Sequence, residues 1–463
     1  MADLEWLFGE LPRSARVPSH YHSKFNLSSL MNFRPAILIG ILLVNAVFSD
    51  SRAEEVPARD SNREGLSKSI VGGVKVSTGE YPWMCTLVLA GDEVAYRGFF
   101  SGGTLIHPQW ILTAAHSVEG KSAAEIHALV GATHLIEDGG LKRHQVVEIV
   151  FHPAFSRREG ELGSDLALLK LSSPVVGIPS LPISLGASPA RPGRMTRALG
   201  WGLTANRGFR SAALRSVDIP IVDKREIDAV AVYGQELPAD TVLAGVMSGG
   251  KDTCDGDSGG PLLGRDVERG KWRMMAVIAG GADRGCAVEG AVGIYTEVAP
   301  HLPWIESRVV ASYQDWAVLY GSGVAGADED GDGFTNWDEY AHVSHPIDPR
   351  SKPRLNLRLT ASEGRQFATL FGFARKGVED LRFVIERSAA LGEWNRAFEF
   401  SSSKLNPEGP LGPRFVWQDP LPISVASGQF YRVRALRTGE PSLLVLNQTL
   451  SQGETAPRSF PSL

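Results

Sequence analysis

Between Ile70 and about Val310 the apolar residues come in short runs, each cut off by Gly, Pro or Asp: WMCTLVLAG, WILTAAH, VVEIVFHP, DLALLKL and MMAVIAGG. Runs of this length and spacing build short strands closed into an all-β barrel or sandwich, not alternating strands and helices. The 50 glycines and 28 prolines follow no collagen period and supply the turns. Leu302 to Val310 reads as a short closing helix. With 463 residues, 43% hydrophobic and 21% charged, the chain can bury several cores and is not disordered as a whole. A net charge of −5 gives no basic footprint for nucleic acid or an anionic membrane, so neither is expected as a partner. Three cysteines exclude a small disulfide scaffold and leave room for one bridge.

One segment is greasy enough to concern a membrane. Ala36 to Phe48 reads AILIGILLVNAVF, well short of the roughly 20 residues a spanning helix needs. Arg34 precedes it, and the small residues Ser51 and Ala53 follow. With Met31 as the start, residues 31–53 read as a secretory signal peptide removed after Ala53. Residues 1–30 are then a leader or an over-called gene start. The other reading is an apolar strand or anchor. Export implies a secreted, periplasmic or extracellular protein with no membrane span after signal removal. Residues 54–69 are polar, without an apolar period, and read as a propeptide or linker.

After the first long β region the composition shifts. Residues 311–352, from GSGVAGADEDGDG to HPIDPRSKP, read as a linker. From about Arg354 the pattern returns to period 2, with Leu355, Leu357 and Leu359 on one face and Tyr431, Val433 and Ala435 on another. Residues 353–440 are expected to form a C-terminal β module, small and sandwich-like, and 441–463 a disordered tail. Trp394, Trp417 and Tyr431 fit core packing better than a ligand platform.

Inside the linker, Asp328 to Glu339 fits the twelve-residue calcium loop D-x-D-x-D-G-x₅-E. Asp328, Asp330, Asp332 and Glu339 place hard oxygens at loop positions 1, 3, 5 and 12. Gly333 permits the turn at position 6, Phe334 offers its carbonyl, and Asn336 stands at the usually water-mediated ninth position. Ca²⁺ is expected there; the competing reading is a solvated acidic linker. The segment resembles the single acidic calcium repeats that join domains in secreted bacterial proteins.

Four separated motifs carry the chemistry: IVGG at Ile70–Gly73, TAAH ending at His116, DLALLK opening at Asp165, and GDSGGP at Gly256–Pro261. Each alone is modest; their joint order is not. A serine hydroxyl is a weak nucleophile until a neighbouring base takes its proton. Ser258 is the candidate nucleophile, His116 the base and later the acid, and Asp165 the group that holds the imidazole tautomer. The glycines beside Ser258 allow a tight turn whose N–H groups, from Gly256 and Ser258, form an oxyanion hole.

These motifs resemble the chymotrypsin/trypsin family of serine proteases, over residues 70–310. The resemblance implies two antiparallel β-barrels, the triad His116, Asp165 and Ser258, and no cofactor for catalysis. It implies zymogen activation, in which a new α-amino group on Ile70 pairs with Asp257. Here Ser69 precedes Ile70 and Lys68 stands one position too early, so the activating protease is unidentified. Asp252 falls at the floor of the primary pocket and Gly281 and Gly293 at its walls, implying cleavage after Arg or Lys in protein or peptide substrates. Cys254 and Cys286 fall where the family closes a bridge. Ser101 and Ser117 occupy the two positions of a second bridge, and Cys85 is left as a buried free thiol. Ala279 and Gly280 replace a supporting hydroxyl and an aromatic wall, which opens the outer subsites. The expectation is a secreted serine endopeptidase. Its rivals are an inactive protease-like binding protein and a surface adhesin whose tail is the main function.

Overall fold

The structure is a computed structural model that describes residues 70–138, 140–156, 164–184, 190–205, 208–266, 270–282, 284–389, 393–402, 414–421, 429–437 and 446–450. The expected leader, signal peptide and propeptide lie outside the described residues. No described helix is long and apolar enough to cross a membrane.

The short apolar runs are strands. After β1 (Val74–Lys75), the strands β2 (Met84–Leu89), β3 (Phe99–His107), β4 (Trp110–Thr113), β5 (Ile126–Val130), β6 (Arg143–Phe151) and β7 (Ala167–Leu171) follow in sequence. The last six close a barrel in the order β2-β3-β4-β7-β6-β5. Leu87, Leu105, Ile111, Val130 and Leu169 are buried together within it. Each such side chain contributes about 1.5–3 kcal/mol when fully withdrawn from water.

A second barrel follows from β8 (Met195–Gly200), β9 (Arg215–Val222), β10 (Thr241–Ala244), β11 (Pro261–Arg265), β12 (Trp272–Gly280) and β13 (Gly293–Glu297). Its order is β8-β9-β10-β13-β12-β11, and the β11–β8 pairing closes it, with β1 added on β9. Val217, Ile219, Leu262, Ala276 and Tyr295 form its core, and Ile70 joins them. Among the described residues, three short α-helices interrupt the barrels: α1 (Ala95–Gly98), α2 (Ala115–Val118) and α3 (Ala229–Tyr233). The fold is mainly β, as the spacing of apolar runs predicts, and the closing helix α4 spans Leu302–Val309.

The segment 311–352 corrects the linker expectation. It forms two buried helices, α5 (Tyr313–Tyr320) and α6 (Asn336–His342). Ser312 caps the first and Gly321, at φ 62°, ends it; a Thr335–Asp338 capping box opens the second. Tyr313 and Trp316 of the first meet Trp337 and Tyr340 of the second, with ring centroids as close as 5.5 Å for Tyr313 and Tyr340. These helices are only two turns each, so their apolar period is too brief to stand out from strand patterning. Asp315 of α5 lies 3.1 Å from His107 Nε2 in the first barrel, and Arg273 of the second donates to the Tyr320 carbonyl at 2.7 Å.

The C-terminal strands are β14 (Leu355–Ser362), β15 (Arg365–Phe373), β16 (Leu381–Ser388), β17 (Asn395–Ser401), β18 (Arg414–Gln418), β19 (Gln429–Arg437) and β20 (Leu446–Leu450). They make a three-stranded sheet, β14-β15-β18, and a four-stranded sheet, β17-β16-β19-β20. Rings meet across the two sheets: Phe400 with Phe415 at 5.5 Å and Trp417 with Tyr431 at 6.3 Å. That is a small sandwich, and Trp417 and Tyr431 are core residues. The expected disordered tail contains β20, which pairs with β19 and so extends the module past residue 440.

Candidate active site

His116 lies on α2, immediately after β4, and Asp165 just before β7. The β4–β7 pairing within the first barrel brings these two segments side by side. Asp165 Oδ1 accepts the His116 backbone N–H at 2.8 Å, and Oδ2 meets His116 Nδ1 at 2.6 Å. This double grip fixes the ring orientation and places a proton on Nδ1, leaving Nε2 as the basic nitrogen. Ser117 Oγ lies 3.4 Å from that Nε2.

Ser258 belongs to the turn that leads into β11 of the second barrel. Gly256 and Gly259 flank it in left-handed conformations, at φ 92° and 77°. A Cβ on Gly259 would lie 2.3 Å from Thr113 Oγ1 and 2.4 Å from the Gly102 carbonyl, so only glycine fits this approach. The first barrel reaches across the seam to the Ser258 carbonyl, which accepts Gly102 N–H at 2.9 Å and Ser101 Oγ–H at 2.7 Å.

Asp252 is 3% exposed. Its Oδ1 accepts Thr253 N–H at 2.8 Å and its Oδ2 accepts Ala287 N–H at 3.0 Å. Burial pushes its carboxyl up to about 7, against the opposing pull of the Ala287, Thr253 and Gly293 N–H groups. A Cβ on Gly293 would lie 3.0 Å from Asp252 Oδ1, so a side chain there would cover the carboxylate. Gly280 and Gly281 face open space, with nothing within 4 Å of a Cβ, and Cys254 is bonded to Cys286. Cys85 is a buried free thiol whose pKa burial pushes up.

Asp257 is fully buried and accepts Gly202 N–H at 2.7 Å and Cys254 N–H at 2.9 Å. Burial pushes it, too, up to about 7. Sequence reasoning missed Gly200 and Gly202, whose Cβ atoms would stand 2.1 and 2.7 Å from Asp257 Oδ1. The two glycines around the buried Trp201 were the available signal. Ile70 is buried, and Val71 bridges to Asp252. The Ile70 φ is 36°, unfavourable for a β-branched residue. That torsion includes the carbonyl carbon of residue 69, so cutting the 69–70 bond abolishes it.

Away from this seam, carboxylate oxygens of Asp328, Asp330 and Asp332 lie within 4.8 Å of one another. Gly333 takes φ 95° at the turn. Asp328 is partly committed to the N–H groups of Gly331 and Gly333, at 2.9 and 3.0 Å. Asp330 Oδ2, Asp332 Oδ2, Asn336 Oδ1 and both Glu339 oxygens are buried without a hydrogen-bond partner. Glu339 has no exposed surface; burial, then the charges of Asp330, Asp332 and Asp328, push it up to about 9. A cluster of unpaired, inward-facing carboxylates is costly unless a cation joins it, and hard oxygens at these loop positions suit Ca²⁺.

Compared with known families, the chain matches the family described as Trypsin over residues 70–305, just over half its length. The match spans both barrels, His116, Asp165 and Ser258. The chain belongs to the trypsin family of serine proteases.

Proposed function

We propose that the protein is a secreted serine endopeptidase that hydrolyses peptide bonds after Arg or Lys. The grip of Asp165 on His116, at 2.6 Å to the ring, carries this reading. Ser258 Oγ attacks the substrate carbonyl carbon while His116 Nε2 takes the hydroxyl proton. Asp165 stabilises the imidazolium, and the N–H groups of Gly256 and Ser258 receive the oxyanion. His116 returns the proton to the leaving amine, giving the acyl-enzyme; water, deprotonated by the same ring, then releases the acid. Asp252, held by backbone N–H groups with no cation among them, supports a cationic side chain in the primary pocket.

Activation is by an unidentified protease that cuts before Ile70, giving an amine to pair with Asp257. Residues 31–53 direct export. The loop Asp328–Glu339 holds Ca²⁺ through Asp328, Asp330, Asp332 and Glu339, with Phe334 and Asn336 at the remaining positions, and serves no catalytic step. Protein that begins at Ile70 is expected to hydrolyse Arg- and Lys-amides, not Phe-amides, and Ser258→Ala to abolish this. Absence of any hydrolysis would favour an inactive binding protein on the same fold.

A further inference from the structure

Ser101 lies on β3 of the first barrel and has no exposed surface. Its Oγ approaches two carbonyls, Ser258 O at 2.7 Å and Gly102 O at 3.2 Å, and one hydroxyl proton serves the shorter contact. The second lone pair of Ser258 O takes Gly102 N–H at 2.9 Å. That carbonyl shares a peptide plane with Gly259 N–H, which donates to Ile278 O of β12 at 2.9 Å. The plane beside the nucleophile is therefore held at both ends, its carbonyl by the first barrel and its N–H by the second. Two of the three grips are backbone. The third is the Ser101 side chain.

We propose that Ser101 is a positioning residue for the nucleophile, its hydroxyl holding the Ser258 carbonyl and so the orientation of Ser258 Oγ. This rests on the serine-peptidase reading. Ser101 touches neither substrate nor His116; it acts through Ser258. Ser117, in contrast, faces His116 Nε2 at 3.4 Å, a long contact for an O–H···N bond.

The test uses the full chain cut before Ile70 and a fluorophosphonate, which forms an Oγ–P bond at Ser258 with loss of fluoride. The count of labelled sites and the labelling rate per site are measured apart. Ser101→Ala is expected to keep the site count and to lower the per-site rate about threefold to tenfold, the worth of one hydrogen bond. The peptide kcat falls equally, KM stays, and the shape of the pH profile does not change. Ser101→Thr, which restores the hydroxyl, recovers the rate. An unchanged per-site rate in Ser101→Ala, a lower site count with normal remaining sites, or Ser101→Thr as slow as alanine overturns the assignment. Where alanine fails to fold, Ser101→Cys decides: a slower per-site rate supports the role, and a wild-type rate overturns it. If wild-type protein is not labelled and cleaves no peptide, the peptidase reading itself has failed, and this assignment goes with it.

Discussion

Arg375 Nη1 lies 3.0 Å from Glu306 Oε2, joining the C-terminal module to the last helix of the trypsin domain. Tyr320 OH donates to the other Glu306 oxygen at 2.5 Å, and Arg375 Nε donates to the Tyr340 carbonyl at 2.7 Å. The two charged side chains are 6% and 11% exposed, so neither has water to replace its partner.

Arg375→Met, which strands the Glu306 carboxylate, is expected to destabilise the chain by about 3–5 kcal/mol in denaturant titration. The double change with Glu306→Met recovers much of that loss. Burial alone would raise the Glu306 pKa, but Arg375 and Tyr320 outweigh it and hold the carboxyl below its usual range. The pair therefore stabilises above the unfolded carboxylate value and fades as pH falls through the folded one. A single mutant as stable as the parent would remove the pair from the interface energetics.

Cutting the chain after residue 310 uncovers α4, which packs in one continuous core with Trp316 and Tyr320. The expected outcome is a trypsin domain that is insoluble or melts at a clearly lower temperature. A truncated protein with the full melting temperature and full hydrolysis would show the tail to be a passenger.

Asp252 and Asp257 are both raised to about 7 by burial. A raised carboxyl keeps its proton in the folded chain while the unfolded chain ionises near 3.8. Uncut protein should lose stability as pH rises from about 4 to 7. A benzamidinium ligand reverses the sense at Asp252: its affinity should rise with pH through about 7, and Asp252→Asn should flatten that rise. A pH-independent affinity in the parent would place the cation elsewhere.

Calcium at 100 times its dissociation constant should stabilise the chain by about 2.7 kcal/mol, read as a higher melting temperature that a chelator removes. Glu339→Gln should abolish the calcium increment without lowering peptide hydrolysis at room temperature. Equal melting temperatures with calcium and with chelator would make the loop a solvated acidic turn.

The all-β class could be anticipated from the spacing of apolar runs, since strands such as MCTLVL and WILT bury nearly every side chain, whereas the division into two barrels was implied by the family resemblance. His116, Asp165 and Ser258 stand out in the sequence by the joint order of their motifs, and the grip of Asp165 on His116 is what the fold adds. What escaped depended on long-range approach. Nothing local marks Ser101 as a donor to a carbonyl 157 positions away, or Gly200 as the space that Asp257 needs. The packed helices α5 and α6 were hidden because aromatic residues over two turns read as strand or linker, and only distant partners, in the barrels for α5 and in the C-terminal module for α6, bury them.

The peptide beside Ser258 draws its supports from both barrels, and this has a consequence for biosynthesis. A folding intermediate with one barrel formed has a serine but no oriented nucleophile. Support of that peptide thus depends on the two barrels docking, and neither barrel provides it alone.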